Sequence, residues 1–210
     1  MTRIAVFAGG RIGAYQTDFD YFVGVDRGAF FLLEKDLPLD LAIGDFDSVG
    51  CSELSQIRKT AEEVIQAQPE KDDTDLELAL KTVFQKMPEA EVTVFGAFGG
   101  RLDHTLSNIF LPSDEKLAPY MRQLCLVDEQ NLLCYFPEGT HTVEEKAGMT
   151  YVAFMSESSS PLTIKGAKYP LNHENFFAKK IYSSNEFVDC PIEVTCPKGY
   201  LVVIYSKDRS

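Results

Sequence analysis

Within LAIGDFDSVG (41–50) an apolar run reaches a glycine and then sets Asp45 and Asp47 on either side of Phe46. Two carboxylates this close repel unless a cation or a proton lies between them. Gly, Asp and Ser also build ordinary solvated turns, so the pair alone admits both a turn and a metal site. A second acidic stretch, PEKDDTDLELAL (69–80), carries Asp72, Asp73 and Asp75 at the start of a helical pattern. Acids favour helix N-termini through capping and the dipole, which accounts for this cluster taken by itself. Together, two acidic loops at one sheet edge suit Mg2+, a hard cation that keeps several waters and needs only one or two carboxylates plus substrate phosphates. Lys71 stands beside them and can meet a phosphate as a point charge. A third stretch, GAFGGRLDHTLSNI (96–109), puts Gly96, Gly99 and Gly100 between a strand and a helix, where backbone N–H groups approach phosphates. It is neither G-x-G-x-x-G nor a Walker loop. Arg101 adds a cation, Asp103 an acid at the helix start, and His104 is expected to be structural. FAGGRIG (7–13) reads as a glycine-rich turn.

The elements that must hold these groups follow from periodicity. IAVFA (4–8), YFVGVD (21–26), DLAIGD (40–45), EVTVFGA (91–97) and RQLCLVDE (122–129) are short apolar runs of the kind that form buried parallel strands. EVIQAQ is a further candidate strand. Helices are expected after Gly28, within SELSQIRKTAEEVIQAQ ahead of that strand, where Leu54, Ile57 and Ala61 hold helical spacing, and over DTDLELALKTVFQKM, where Leu76, Leu80, Val83 and Met87 make one stripe. Thr74 and Glu77 form a capping-box pattern at that helix start. Leu102, Leu106 and Ile109 mark another helix. Alternation of strand and helix predicts a Rossmann-like, mostly parallel α/β sheet with helices on both faces. Asp26, Asp45 and Asp47 then lie at carboxyl ends of strands, where open α/β sheets bind ligands. After about residue 130, HTVEE, MTYVAFMS, LTIKGAKYPL, PIEVTC and YLVVIYS are short, β-rich and separated by turn residues. The expectation is an α/β domain over 1–130 and an all-β, sandwich-like domain over 131–210.

With 45% hydrophobic and 25% charged residues, the 210-residue chain is of globular composition. A net charge of −12 argues against general affinity for nucleic acid or an anionic membrane, so phosphate binding would need a cation. Five cysteines without a CxxC pair fit free thiols in a reducing compartment. The start is too short for a signal peptide and no 18-residue apolar span occurs, so a cytoplasmic protein is expected.

GDFDS, KDDTDLELAL, GGRLDH and SSNEF (183–187), in that order, resemble the thiamine pyrophosphokinase family in its bacterial form. VDRGA (25–29), LTIKGAKYPL and YLVVIYS extend the likeness over nearly the whole chain. The resemblance implies transfer of a pyrophosphoryl group from ATP to the hydroxyethyl oxygen of thiamine, giving thiamine diphosphate and AMP, in a homodimer with the active site between subunits. It implies Asp45, Asp47 and Asp75 as Mg2+ ligands with Asp72 nearby, and Asp26 in the catalytic centre. It also implies Lys71, Thr74, Arg101 and Asp103 at ATP, and Ser184 and Asn185 at thiamine. The family's commoner form has glycine where Arg27 stands, and some relatives have glutamine at Lys71. Without tryptophan, any stacking on thiamine falls to Phe, Tyr or His. The chemistry agrees independently: attack of an alcohol on phosphorus needs charge neutralisation and in-line placement more than a covalent catalyst. A haloacid-dehalogenase-type phosphatase also uses D-x-D, but on its first strand, whereas here the pair ends the third. A module that only binds a nucleotide or cation is the other alternative.

Overall fold

The computed structural model describes residues 1–68, 70, 72–178 and 180–208, and the chain divides into two compact units, Met1–Glu129 and Gln130–Ser210. In the first unit, β1 (Arg3–Phe7), β2 (Tyr21–Val25), β3 (Leu41–Gly44), β4 (Glu63–Gln66), β5 (Glu91–Phe95) and β6 (Leu124–Val127) are all parallel, in the order β6-β5-β1-β2-β3-β4. Helices α1 (Arg27–Glu34), α2 (Cys51–Thr60), α3 (Asp75–Lys86) and α4 (Leu102–Ile109) lie in the four connections from β2 onward, as the periodicity predicts, while 8–20 joins β1 to β2 without a helix. Four of the five β1 residues are buried, since alternate side chains meet opposite layers. One face, with Ala5, Phe7, Phe22, Ala42 and Phe95, packs against Ala29 and Leu32 of α1 and Ile57 of α2. Phe7 and Phe95 stack there with centroids 5.0 Å apart.

Helix α3 packs over β2 and β3, burying Leu76, Ala79, Leu80, Val83 and Phe84. Phe84, not Met87, completes the stripe and stacks on Tyr120 at 4.4 Å. Helix α4 forms where the spacing of Leu102, Leu106 and Ile109 puts it, yet none of its residues is buried, and Leu102 is 70% exposed. Strand order reverses between β1 and β5, so the loops that follow these two strands flank a switch point. The Gly10 N–H donates to the Gly96 carbonyl across it (3.0 Å).

The second unit is antiparallel: β7 (Asn131–Val143), β8 (Tyr151–Ser156), β9 (Thr163–Lys165), β10 (Tyr182–Asn185) and β11 (Ile192–Ser206). Strand β11 pairs with β7 along its length, with β9 through Glu193–Thr195 and with β8 through Leu201–Ser206. Between Cys196 and Tyr200 three residues oppose one on β7, a bulge that bends both long strands. Ile164, Ile192 and Val194 from one side of the bulge share a core with Val152, Phe154 and Val203 from the other. The sequence suggests two strands, PIEVTC and YLVVIYS, where there is one continuous β11. It also suggests a later start for β7, at HTVEE, whereas the strand begins at Asn131 and runs through Pro137 and Gly139, which pair with Tyr200 and Cys196 at the two ends of the bulge. All five cysteines are free thiols. Among the described residues no helix is long and apolar enough to cross a membrane.

One contact sets how closely α1 approaches the sheet. A Cβ at Gly28 would lie 1.8 Å from the Phe7 carbonyl oxygen, a backbone atom that cannot yield. We expect Gly28→Ala to cost about 3 kcal/mol or more and to lower Tm by roughly 10 °C, measured by thermal unfolding against the wild type.

Candidate active site

Asp26 follows β2 with φ 48° and ψ −119°, a backbone state L residues seldom adopt. Its N–H donates to the Ile43 carbonyl (3.1 Å), and its Oδ1 accepts the N–H of Phe46 (3.1 Å). Gly44 makes room for that carboxylate: its φ is +151°, and a Cβ there would lie 1.9 Å from Asp26 Oδ1. Asp45 comes next and accepts the Asp47 N–H on Oδ1 (3.0 Å), a self-closing Asx turn. Asp75 opens α3 behind its capping box, in which Thr74 Oγ1 accepts the Glu77 N–H (3.2 Å) and Glu77 Oε2 accepts the Thr74 N–H (2.7 Å). One carboxylate oxygen each from Asp26, Asp45 and Asp75 lies within 4.8 Å of the other two. Three anionic oxygens at this spacing are a donor set that fits a hard divalent cation.

The acids face a cavity of about 540 Å³ at the carboxyl edge of the parallel sheet. Asp47, Thr74 and Arg101 line it, but the Asp47 carboxylate is not one of the three that converge. Asp72 is exposed and does not line it. Asp73 is engaged elsewhere: Lys81 Nζ bonds Asp73 Oδ1 (2.7 Å) and Asp114 Oδ2 (2.6 Å), and this lysine holds the Asp114 carboxyl below the usual carboxylate range. Asp103 grips Arg101 through two bonds, 3.1 and 2.6 Å, which presents the guanidinium in a fixed fork. That contact holds the Asp103 carboxyl at about 2. Lys71 lies outside the described residues.

Ser184 and Asn185 are on β10 of the second unit. Ser184 is exposed with φ 56°, whereas Asn185 is 2% exposed. The Asn185 amide accepts the Tyr169 N–H (2.9 Å) and donates to the Tyr169 carbonyl (2.8 Å), clamping the LTIKGAKYPL loop. Asn108, which belongs to none of the acidic or glycine-rich motifs, lines the cavity with His104 and donates to the Ala97 carbonyl (2.8 Å). The signal was available, since the two are four apart on one helix and so share a face.

Burial raises the Asp26 carboxyl to about 7, with the Asp75 charge adding to the shift, the Phe46 N–H opposing it and Asp45 reinforcing it. The folded protein therefore keeps a proton that the unfolded chain loses near its ordinary 3.8. This group thus makes the metal-free protein less stable as pH rises from about 4 to 7, and the penalty is fully present above that. Asp26→Asn should remove it: without divalent ions the variant should melt about 3 °C above wild type at pH 8 and level with it at pH 4. Thermal melts in a chelator at both pH values check this.

The family model described as thiamin pyrophosphokinase, catalytic domain, matches residues 13–117, and that for the thiamin pyrophosphokinase vitamin B1 binding domain matches 140–201. The chain is similar to a thiamine pyrophosphokinase of Bacillus subtilis (strain 168), 35% identical over 99% of this chain and all of the relative. Its fold is similar to the crystal structure of a thiamin pyrophosphokinase family protein from Enterococcus faecalis, with TM-score 0.92 and 39% identity over 99% of this chain and 100% of that one. It is also similar to thiamin pyrophosphokinase from Geobacillus thermodenitrificans, with TM-score 0.80 and 32% identity over 99% of each chain. Two matching domain models and a full-length relative above 30% identity lead to one conclusion: the chain belongs to the thiamine pyrophosphokinase family.

Proposed function

We propose that the cavity at the carboxyl edge of the parallel sheet is where this chain transfers the pyrophosphoryl group of ATP to thiamine. The observation that carries this is the convergence of Asp26, Asp45 and Asp75 on its wall. In a protein of net charge −12, a triphosphate needs a local cation to approach three carboxylates. Asp26, Asp45 and Asp75, with Asp47 next to them, would hold Mg2+, which would supply positive charge against the phosphates during transfer. The Arg101 guanidinium, pre-set by Asp103, offers its remaining N–H groups to the phosphates, and the glycine-rich loop over 96–100 lets them approach the backbone. The thiamine hydroxyl oxygen bonds to the β-phosphorus, the bond from that phosphorus to the AMP oxygen breaks, and the hydroxyl proton passes to a carboxylate of the cavity wall. Ser184 would contact thiamine directly. Asn185, spent on Tyr169, would act on thiamine by fixing that loop. The five free thiols and acidic surface support a cytoplasmic setting.

The deciding experiment is incubation with ATP, Mg2+ and thiamine, separating the nucleotides. The expected outcome is AMP and thiamine diphosphate in equal amounts, dependent on thiamine. ADP with thiamine monophosphate, free phosphate without thiamine, or no turnover would each refute it, the last two pointing to a phosphatase and a binding module.

We further propose a homodimer whose sites draw on both copies. The support is α4, whose apolar Leu102 and Leu106 stand uncovered on the helix that bears Arg101 and His104 beside the cavity. In a twofold dimer the same patch covers itself, giving two equivalent sites. Mixing Asp75→Ala with Asn185→Ala, each inactive alone, and refolding them together should restore about a quarter of wild-type activity if pairing is random. Activity no higher than either parent, with hybrids present by mass, would mean that each site lies within one chain.

A further inference from the structure

We propose that Phe46 is the positioning residue of the acid cluster, its buried ring anchoring a left-handed turn that aims its own N–H at Asp26 and sets Asp45 beside it. This rests on the assignment of that cluster as the metal site of the reaction. Phe46 has φ 60°, a region where a bulky side chain crowds its own backbone. The other non-glycine residues with positive φ among those described are Asp26, Asp36, Ser184 and Asp189, all short and polar. Asp, with a side chain that bonds locally, is several-fold enriched there, and Phe is not. A glycine at position 46 would adopt the same turn at no steric cost. The presence of a phenylalanine therefore needs a reason, and the visible one is anchorage. Its ring is 3% exposed and belongs to the core cluster with Phe22, Ala42 and Ile57, beneath α1 and α2.

The left-handed turn makes that burial compatible with the chemistry. With the ring inward, Asp45 and Asp47 on either side both line the cavity. The Phe46 carbonyl accepts the Val49 N–H (3.2 Å) and closes the turn, while the Phe46 N–H is spent on Asp26 Oδ1 (3.1 Å). One residue thus joins the acid after β2 to the acid after β3. Asp75, arriving from α3, meets a pair already fixed.

Two measurements test this. In the first, Mn2+ alone is titrated and followed by electron paramagnetic resonance. Phe46→Ala should weaken Mn2+ binding by about tenfold or more, as loss of outer support does at metal sites. Phe46→Leu, which keeps an apolar anchor, should restore most of it. Phe22→Ala, a truncation in the same core, should lower Tm without moving Mn2+ affinity. The second needs no metal. In chelator at pH 8, the gain in Tm from Asp26→Asn, about 3 °C in the wild-type background, should vanish in the Phe46→Ala background, because Asp26 freed from the anchored turn regains water and moves away from Asp75. Should the alanine variant not fold, Phe46→Gly replaces it without a backbone penalty. Additive Tm changes overturn the proposal, as does a loss of Mn2+ affinity no greater than that of Phe22→Ala. Failure of the wild type to bind Mn2+ would instead refute the metal assignment, and the Tm cycle would still decide the role of Phe46.

Discussion

Repulsion among Asp26, Asp45 and Asp75 is the force against which the first unit is built. Oxygens held within 4.8 Å repel by roughly 3–4 kcal/mol per charged pair at the effective dielectric of a protein surface. A flexible chain would relieve this by swinging the acids apart. Here each comes from the end of a different element, and each end is fixed by something other than the acid. Gly44 clears the space for Asp26, the burial of Phe46 fixes the turn carrying Asp45, and the Thr74–Glu77 box fixes the first turn of α3. The stability that a parallel sheet buried on both faces provides is spent on holding like charges together. Such an arrangement suits the high-charge cation proposed for it.

The remaining charges are kept out of that competition by pairing. Asp73, two residues before Asp75, is turned onto Lys81 together with Asp114. Asp103 is bound to Arg101, so the cation that faces the cavity does not collapse onto the three acids. The result is a separation of charges within a strongly acidic protein: three carboxylates converge, one guanidinium beside the cavity is held by its own acid, and Asp73 and Asp114 are neutralised by Lys81.

Most of the first unit was legible because parallel strands buried on both faces read as unbroken apolar runs, and because the α3 stripe and capping box are local signals. Asp26 was harder to place. Its membership of the cluster depends on the pairing of β2 with β3, and no spacing in the sequence shows that Val25 aligns with Ile43. Asp47 looked equivalent to Asp45, yet the turn through Phe46 splits them, one carboxylate converging and the other standing on the wall. In the second unit β10 was missed because Tyr182–Asn185 is short, polar and half exposed, without period-2 alternation. The amide of Asn185 gives no sign in sequence that it is committed to Tyr169, sixteen residues earlier. The stripe of α4 was found, but periodicity states only that a face is apolar, not what covers it.

The strand order has a consequence for how the chain acquires this site. Strand β1 lies between β2 and β5, pairing Ile4 with Tyr21 on one side and with Val92 on the other. The first partner is available early, but the second is almost ninety residues away, beyond three helices and two further strands. Closing a loop of that length precedes the contacts that reward it, so this docking is a slow step of folding. During synthesis at about 5–20 residues per second, the last of the three acids, Asp75, leaves the ribosome about one to four seconds before β5, the second neighbour of the central strand. Until then one edge of β1 is unpaired, while β2, β3 and α3, which carry the acids, are all available to meet. The acid cluster can thus assemble before the sheet is complete, because, among the described residues, none of the three elements that carry it packs on β5.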